Sequence, residues 1–173
     1  MIKIVSVFGS GTVKPGDKEY TEAKLLGKLL AGAGYAIANG GYGGTMEASA
    51  KGAKEAGGEV IGVTCSAFKR SRPNALLSRE FVTNSLNERL DKLIELGLAY
   101  VVLPGGTGTL LELALVWELK NKGFLNGDKP IIILGEYWSR LVELVATVDA
   151  GSGQHLLRAD EPKDVVRILK SCK

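Results

Sequence analysis

Short, almost continuously apolar runs alternate with segments of helical period along this chain, and this alternation constrains the fold most strongly. Runs without polar alternation are typical of parallel strands whose two faces are both covered by helices. The predicted strands are 2–8, 35–38, 59–64, 81–83, 99–103 and 131–134. The predicted helices are 19–33, 45–56, 85–96, 109–122, 138–148 and 163–170, and Ser85-Leu86-Asn87-Glu88 fits a capping box at the start of the third. Repeated strand–helix units with right-handed crossovers predict an α/β fold with one Rossmann-like, doubly wound parallel sheet and helices on both faces.

The size of the chain favours a single domain over residues 1–173. A chain of this length buries enough surface to fold without a disulfide or a structural metal. His155 and the two cysteines show no metal-ligand spacing, so we expect no metal and no cofactor. Cys65 ends an apolar run and is expected to be a small core residue.

The charge pattern argues against a nucleic-acid partner, because the net charge is only +3 and the basic residues are spread along the chain. The densest basic stretch, 69–72, is expected to be a solvated loop. The first strand follows the initiator Met directly, which leaves no room for a signal peptide. No apolar run approaches the ~20 residues that cross a bilayer. We therefore expect a cytoplasmic protein without a membrane partner.

Two glycine-rich segments, GGYGGTME at 40–47 and PGGTGT at 104–109, directly follow predicted strands. In open parallel sheets, ligands bind at this carboxyl edge of the strands. Free N–H groups and the positive end of a helix dipole favour an anion there, and glycine lets the main chain approach it closely. A third turn, with Gly9 and Ser10 as candidate ligand-binding residues, follows the first strand at the same edge. The sequence therefore predicts a site for a phosphate ester.

Motifs that are absent from the glycine turns narrow the class of ligand. A single tight turn can use glycine for purely steric reasons, but three turns at one edge favour a ligand. No Gly-Lys-Ser/Thr follows either segment, which excludes a Walker A loop. No GxGxxG pattern is present and no acidic residue ends the second strand, which argues against a dinucleotide. The expected partner is a small molecule such as a nucleoside monophosphate.

An arginine and a glutamate begin the helices on either side of the fifth predicted strand, Arg89 on one and Glu112 on the other. One interpretation is an ordinary ion pair near a helix start, where acids are favoured anyway. The other is catalytic: a carboxylate stabilises the oxocarbenium-like state of ribosyl cleavage and directs water, and an arginine orients it. The spacing alone leaves both interpretations open.

Several other features remain candidates for contact with a ligand or a partner. Tyr137 and Trp138 follow the sixth strand at the ligand edge and are candidates for flanking a base. Trp117 lies on the apolar side of its helix and is expected in the core. The segment 66–78 is long enough for a lid or a partner contact.

The segment PGGTGTLLE at 104–112 resembles the PGGxGTxxE motif of the Lonely Guy (LOG) family. GGYGGTME stands where that family has GGGxxGLMG, and the resemblance extends over about 5–134. It implies a cytokinin-activating type of phosphoribohydrolase, which cleaves the N-glycosidic bond of a nucleoside 5′-monophosphate. It also implies a homo-oligomer, expected to be a dimer. Carried over by position, Arg89 and Glu112 are the catalytic residues. The phosphate-binding positions are Gly40, Gly41, Gly44, Gly105, Gly106, Thr107, Gly108 and Thr109.

Three departures from the LOG pattern keep a second function open. Leu90 replaces a usual Lys, Leu111 a usual acid and Glu47 a usual Gly. The pattern GGxGGxMEA is also similar to the molybdenum-cofactor carrier branch, which shares the fold and binds without hydrolysis. The expected function is phosphoribohydrolase activity, with a non-catalytic nucleotide or molybdenum-cofactor carrier as the alternative.

Overall fold

The computed structural model describes residues 2–69, 72–125 and 127–172 and contains a seven-stranded sheet whose neighbouring strands all run parallel. The strands are β1 Lys3–Phe8, β2 Tyr35–Asn39, β3 Val60–Cys65, β4 Arg79–Thr83, β5 Ala99–Val102, β6 Ile131–Leu134 and β7 Leu156–Ala159. The helices are α1 Lys18–Gly32, α2 Thr45–Glu55, α3 Leu86–Leu96, α4 Thr107–Asn121, α5 Ser139–Ala146 and α6 Pro162–Ser171. A short 3₁₀ helix, Ser152–His155, precedes β7. The predicted α/β class is confirmed.

Helices cover both faces of the sheet, which explains why the inner strands are apolar at successive positions. On one face, Leu26 and Leu30 of α1 pack with Ile37 of β2 in a cluster that also includes α2 and α6. On the other face, Leu93 of α3 and Leu113 of α4 share a second cluster with β5. All four of these leucines are 0% exposed. Burial on two faces therefore holds the strands in one sheet.

The strand order β4-β3-β2-β1-β5-β6-β7 reverses direction at β1. Ser6 of β1 pairs with Ala38 of β2 on one side and with Tyr100 of β5 on the other. The helix after β1 belongs to one face and the helix after β5 to the opposite face, as the two core clusters show. The loops after β1 and β5 thus diverge, and a crevice opens between them at the carboxyl edge.

The starts of α3 and α4 place the two predicted catalytic residues. The Ser85 hydroxyl accepts a hydrogen bond from the Glu88 amide at 3.2 Å, which confirms the predicted cap of α3. The Glu88 carboxylate accepts from the amide of Asn84 at 2.9 Å, one residue before the cap. Arg89 follows in the next position of α3. Helix α4 begins at Thr107, two residues before the predicted start, because Gly106 serves as its cap.

The differences from the predicted strands are largest at the sheet edges. Strand β7 was not predicted, because Leu157 and Arg158 are exposed at an edge and the segment lacks a continuous apolar run. Strand β4, at the other edge, begins at Arg79 rather than at 81 for the same reason. Edge strands are covered less completely, so hydrophobicity marks them weakly.

Other predictions outside the site can be compared with the structure. Cys65 and Trp117 are buried as expected, at 4% and 7% exposure. His155 is half-buried in the 3₁₀ helix. In the predicted basic loop, Lys69 and Arg72 are exposed, and Arg70 and Ser71 lie outside the described residues. None of the helices in the described part of the chain has the length and apolar character needed to span a bilayer.

Candidate functional site

A cavity of about 380 Å³ opens at the carboxyl edge of the sheet, where the strand order reverses. Its volume falls within the ~300–1,000 Å³ of small-molecule sites. The loops after β1, β2, β3 and β5 contribute to its walls together with residues of α2, α3 and α4. Predicted site residues that line it are Gly9, Ser10, Gly40, Arg89, Gly106, Thr107, Gly108, Thr109 and Glu112. Most of the predicted site is therefore assembled around one cavity.

The second glycine turn presents the start of α4 to this cavity. Thr107, Gly108 and Thr109 occupy the first turn of the helix, where amides have no acceptor within the helix. Gly105 does not line the cavity; a Cβ there would collide with the Thr109 side chain and lie 3.1 Å from the Ser10 amide. That amide donates to the Pro104 carbonyl at 3.2 Å and so ties the first loop to the second. The arrangement suits an anion at the helix start.

The first glycine turn mainly serves close packing. Gly41 and Gly44, predicted to bind phosphate, do not line the cavity. Gly41 has a φ of +76°, and a Cβ there would lie 2.9 Å from the Thr64 side chain. Gly44 has a φ of +68°, and a Cβ there would collide with the backbone of Ser10. Their glycine character therefore has a sufficient steric cause, whereas Gly40 faces the cavity.

Arg89 and Glu112 meet inside the cavity, although they belong to different helices. The Arg89 Nη1 atom lies 3.4 Å from Glu112 Oε1, and the two side chains are 9% and 10% exposed. The Arg89 Nε–H also donates to the carbonyl oxygen of Val63 at 2.9 Å. The Arg89–Glu112 pair is therefore buried and differs from an ordinary ion pair at a solvated helix start. Among the described residues that line the cavity, Arg89 is the only basic side chain.

Burial changes the acid–base behaviour of Glu112. Removal of the carboxylate from water raises its pKa from 4.5 to about 7, although the neighbouring Arg89 cation lowers it. A carboxyl group with a pKa near neutral pH exchanges a proton readily under ordinary conditions. Groups perturbed in this way are concentrated at functional sites. Glu112 can therefore stabilise positive charge in a ligand and also exchange protons with it.

The cavity residues that the sequence reasoning missed include Tyr42, Met46 and Phe68. The rings of Tyr42 and Phe68 lie 5.9 and 5.8 Å from the guanidinium carbon of Arg89. The sequence did contain a signal for Tyr42, because a large aromatic residue stands there within a run of glycines. Phe68 belongs to the segment 66–78, and no local pattern distinguishes it from an ordinary loop residue.

Of the remaining candidates, only the segment 66–78 reaches the cavity. Tyr137 and Trp138 do not line the cavity, so their predicted contact with a base is not supported. Trp138 is buried and donates to the Leu103 carbonyl at 3.0 Å. In the segment 66–78, the Asn74 side chain donates to the Tyr42 carbonyl at 2.9 Å, which anchors this loop to the glycine turn. Across the described residues, no group of three or more His, Cys, Asp or Glu side chains could hold a metal ion.

Known proteins share both the sequence and the fold of this chain. The cytokinin riboside 5′-monophosphate phosphoribohydrolase of Mycobacterium tuberculosis is 31% identical over 172 residues, covering 85% of this chain and 86% of that protein. A molybdenum cofactor binding protein from Rippkaea orientalis has a TM-score of 0.81 at 28% identity, covering 99% and 97% of the two chains. The molybdenum cofactor carrier protein from Chlamydomonas reinhardtii has a TM-score of 0.76 at 26% identity, covering 99% and 98%.

The similarity extends over nearly the whole chain, including every loop that lines the cavity. The sequence profile of the SLOG cluster4 family matches residues 2–166, from the start of the sheet into α6. This match, which covers far more than half of the chain, shows that the chain belongs to the SLOG cluster4 family.

Proposed function

We propose that this protein is a LOG-like phosphoribohydrolase that cleaves a nucleoside 5′-monophosphate into its base and ribose 5-phosphate. The observation that carries the proposal is the buried Glu112–Arg89 pair in the same cavity as the free amides that begin α4. Relatives with 31% identity that are named phosphoribohydrolases support the same reaction class.

The phosphate end of the substrate would bind where α4 begins. Amide donors there, the hydroxyl groups of Thr107 and Thr109 and the helix dipole complement a dianion without a lysine. Ser10 and Gly9 would close this end from the β1 side. The cavity extends from the loop after β5 to the loop after β3, a distance of three strand spacings or roughly 14 Å. The ribose and base would extend along it, past Glu112.

Glu112 would then face the anomeric carbon of the ribose. Cleavage breaks the C1′–N bond, water supplies the hydroxyl group to C1′, and the remaining proton of that water ends on the departing base. Positive charge develops on the ribose in the transition state, and a buried carboxylate stabilises it more strongly than one in water. Arg89 would orient that carboxylate through the contact at 3.4 Å. The reaction needs Glu112 as the anion.

The direct test is product release from AMP and from N6-substituted AMP, measured as free base and ribose 5-phosphate. Glu112→Ala is expected to lower kcat about 10²–10⁴-fold, because it removes the charge that stabilises the transition state. The matched control is Glu118→Gln, which changes an exposed carboxylate on the same helix and should leave kcat unchanged. If wild type and Glu112→Ala are equally inert while both bind the nucleotide, catalysis is not the function.

The alternative function is a non-catalytic carrier for a phosphorylated ligand such as molybdenum cofactor. It is supported by the solved structures of a cofactor binding protein and a carrier protein that share this fold. Leu90, Leu111 and Glu47 depart from the LOG pattern and keep this alternative open. Native mass spectrometry of protein purified from its host separates the two functions. A carrier retains a bound phosphorylated ligand without turnover, whereas a hydrolase releases its products.

We propose in addition that the functional unit is a homodimer, as the LOG resemblance implies. No residue of α5 is buried within the single chain, and Leu144 on this helix is 66% exposed. On α4, Leu110 and Leu111 are exposed immediately before Glu112. An apolar surface of this kind is typical of a helix that packs against a second chain. A second copy on this surface would lie next to the cavity.

A further inference from the structure

Arg89 is held on several sides, although arginine is a long and flexible side chain. Its Nε–H donates to the Val63 carbonyl at 2.9 Å, and its Nη1 atom contacts Glu112 at 3.4 Å. The rings of Tyr42 and Phe68 lie 5.9 and 5.8 Å from its guanidinium carbon, within the range of cation–π attraction. Immobilising such a side chain costs conformational entropy, so a fixed orientation needs several contacts.

Tyr42 is itself fixed by the surrounding main chain. Its hydroxyl accepts a hydrogen bond from the Cys65 amide at 2.8 Å and lies 3.3 Å from the Cys65 carbonyl, to which it donates. Its own carbonyl accepts from the Asn74 side chain at 2.9 Å. The ring is thus tied at its tip to the end of β3 and at its base to the loop 66–78. A ring held at both ends can fix the group that it contacts.

Gly40 provides the space for this arrangement. A Cβ at this position would collide with the Arg89 Nη2 atom, so the turn passes directly against the guanidinium. Tyr42 follows two residues later in the same turn and contributes its ring to the same guanidinium. The first glycine turn therefore contributes Gly40 and Tyr42 to an arginine clamp, which Phe68 of the loop 66–78 completes, in addition to its packing role.

We infer that Tyr42 is a positioning residue: it acts through Arg89, with Phe68 as a second contact, to hold the guanidinium against Glu112. The catalytic consequence rests on the proposed hydrolase function. The structural consequence, a fixed Arg89, does not. A role confined to packing of the turn would leave the orientation of Arg89 and the ratio of kcat to KM unaffected.

The experiment compares Tyr42→Leu, which removes the ring, with Tyr42→Phe, which keeps the ring and loses the hydroxyl contacts. With AMP as the substrate, Tyr42→Leu is expected to lower kcat about 10- to 100-fold, because a misplaced catalytic group is costly, while KM changes little. Tyr42→Phe should recover much of the loss. Phe81→Leu is the matched control, since Phe81 contacts the Lys92 cation outside the cavity at 4.9 Å.

A second measurement does not depend on turnover. Proton exchange of the Arg89 Nε–H, followed in ¹H–¹⁵N spectra of the arginine side chains, should be faster in Tyr42→Leu than in wild type or Tyr42→Phe. A folded Tyr42→Leu variant with wild-type kcat and wild-type exchange overturns the inference. If Tyr42→Leu fails to fold, Phe68→Leu replaces it with the same expectations, because Phe68 is only half-buried in a loop. If wild type cleaves no nucleotide, the proposed function fails and the exchange measurement still decides the inference.

Discussion

At the scale of single residues, the surroundings of Glu112 in the fold set the pKa of its carboxyl group. A carboxyl group in water would be ionised throughout the neutral range, but burial raises the pKa of Glu112 to about 7 and Arg89 opposes that rise. The protonation equilibrium of Glu112 therefore depends both on its burial and on the Arg89 cation. Because the proposed reaction needs the carboxylate, this equilibrium determines the fraction of active protein.

The pH profile of kcat/KM tests this dependence. As the pH falls through about 7 the buried carboxyl group of Glu112 becomes protonated, so activity is expected to fall about fourfold between pH 8.5 and pH 6.5. Above that range the profile should be level. The range pH 6.5–8.5 avoids the second ionisation of the substrate phosphate, which lies near ~6.

Replacement of Arg89 tests the direction in which the cation shifts the pKa of Glu112. Because the Arg89 cation lowers the pKa of Glu112, Arg89→Met should move the midpoint of the residual activity to higher pH. Titration of the Glu112 carboxyl carbon by ¹³C spectroscopy should follow the same direction. A midpoint that is unchanged or lower in Arg89→Met contradicts the proposed coupling.

At the scale of the element, helix α4 combines the two halves of the proposed site. Its first turn presents amide donors to the cavity, and Glu112 lies on the same helix within the same cavity. Gly108 belongs to this first turn, and a Cβ at its position would meet no atom within 4 Å. Packing within the chain therefore does not require glycine at position 108, and close approach of a ligand would explain it.

Gly108→Ala is therefore expected to weaken binding of the nucleotide without lowering the stability of the fold. Alanine favours a helix over glycine by up to ~1 kcal/mol, so the variant should unfold at the same temperature as wild type or slightly higher. A methyl group at the phosphate end should raise KM for AMP about tenfold or more through steric conflict. Gly32→Ala, at the last residue of α1, is the control and should leave KM unchanged. A wild-type KM in Gly108→Ala would contradict phosphate binding at this turn.

At the scale of the whole molecule, the sheet buries its apolar surface on both faces, but leucines on the outer helices α4 and α5 stay exposed. Leu144 of α5 and Leu111 of α4 are 66% and 41% exposed. A second copy of the chain packed on these helices would remove both side chains from water, and Leu111 directly precedes Glu112 in the sequence. The proposed dimer thus connects the assembly with the site.

Leu144→Glu is expected to shift a dimer toward monomer, since it places a charge in an apolar contact between copies. Sedimentation equilibrium over a range of concentrations measures the change in dissociation constant, which should be at least about tenfold. Val82→Glu on the edge strand β4 is the control, because Val82 is 64% exposed and lies at the other end of the sheet. A wild-type chain that sediments as a monomer throughout contradicts the dimer.

Much of this architecture follows from local patterns. The parallel class and all but one strand were predictable from apolar runs, because a strand covered on both faces is apolar at successive positions. Strand β7 was not predictable, since Leu157 and Arg158 at the sheet edge show no such run. The cap at Ser85 followed from the local preference of a hydroxyl for a helix start, although the bond from Asn84 did not.

The sequence by itself determined the α/β class and the carboxyl edge at which the glycine turns lie, because both depend on order and spacing along the chain. Only the tertiary structure decided that Arg89 and Glu112 form a buried pair, since α3 and α4 belong to different strand–helix units. It also placed Tyr42 and Phe68 at the guanidinium. Those contacts arise when the sheet order brings β3, β2, β1 and β5 side by side, and burial in that arrangement gives Glu112 its raised pKa.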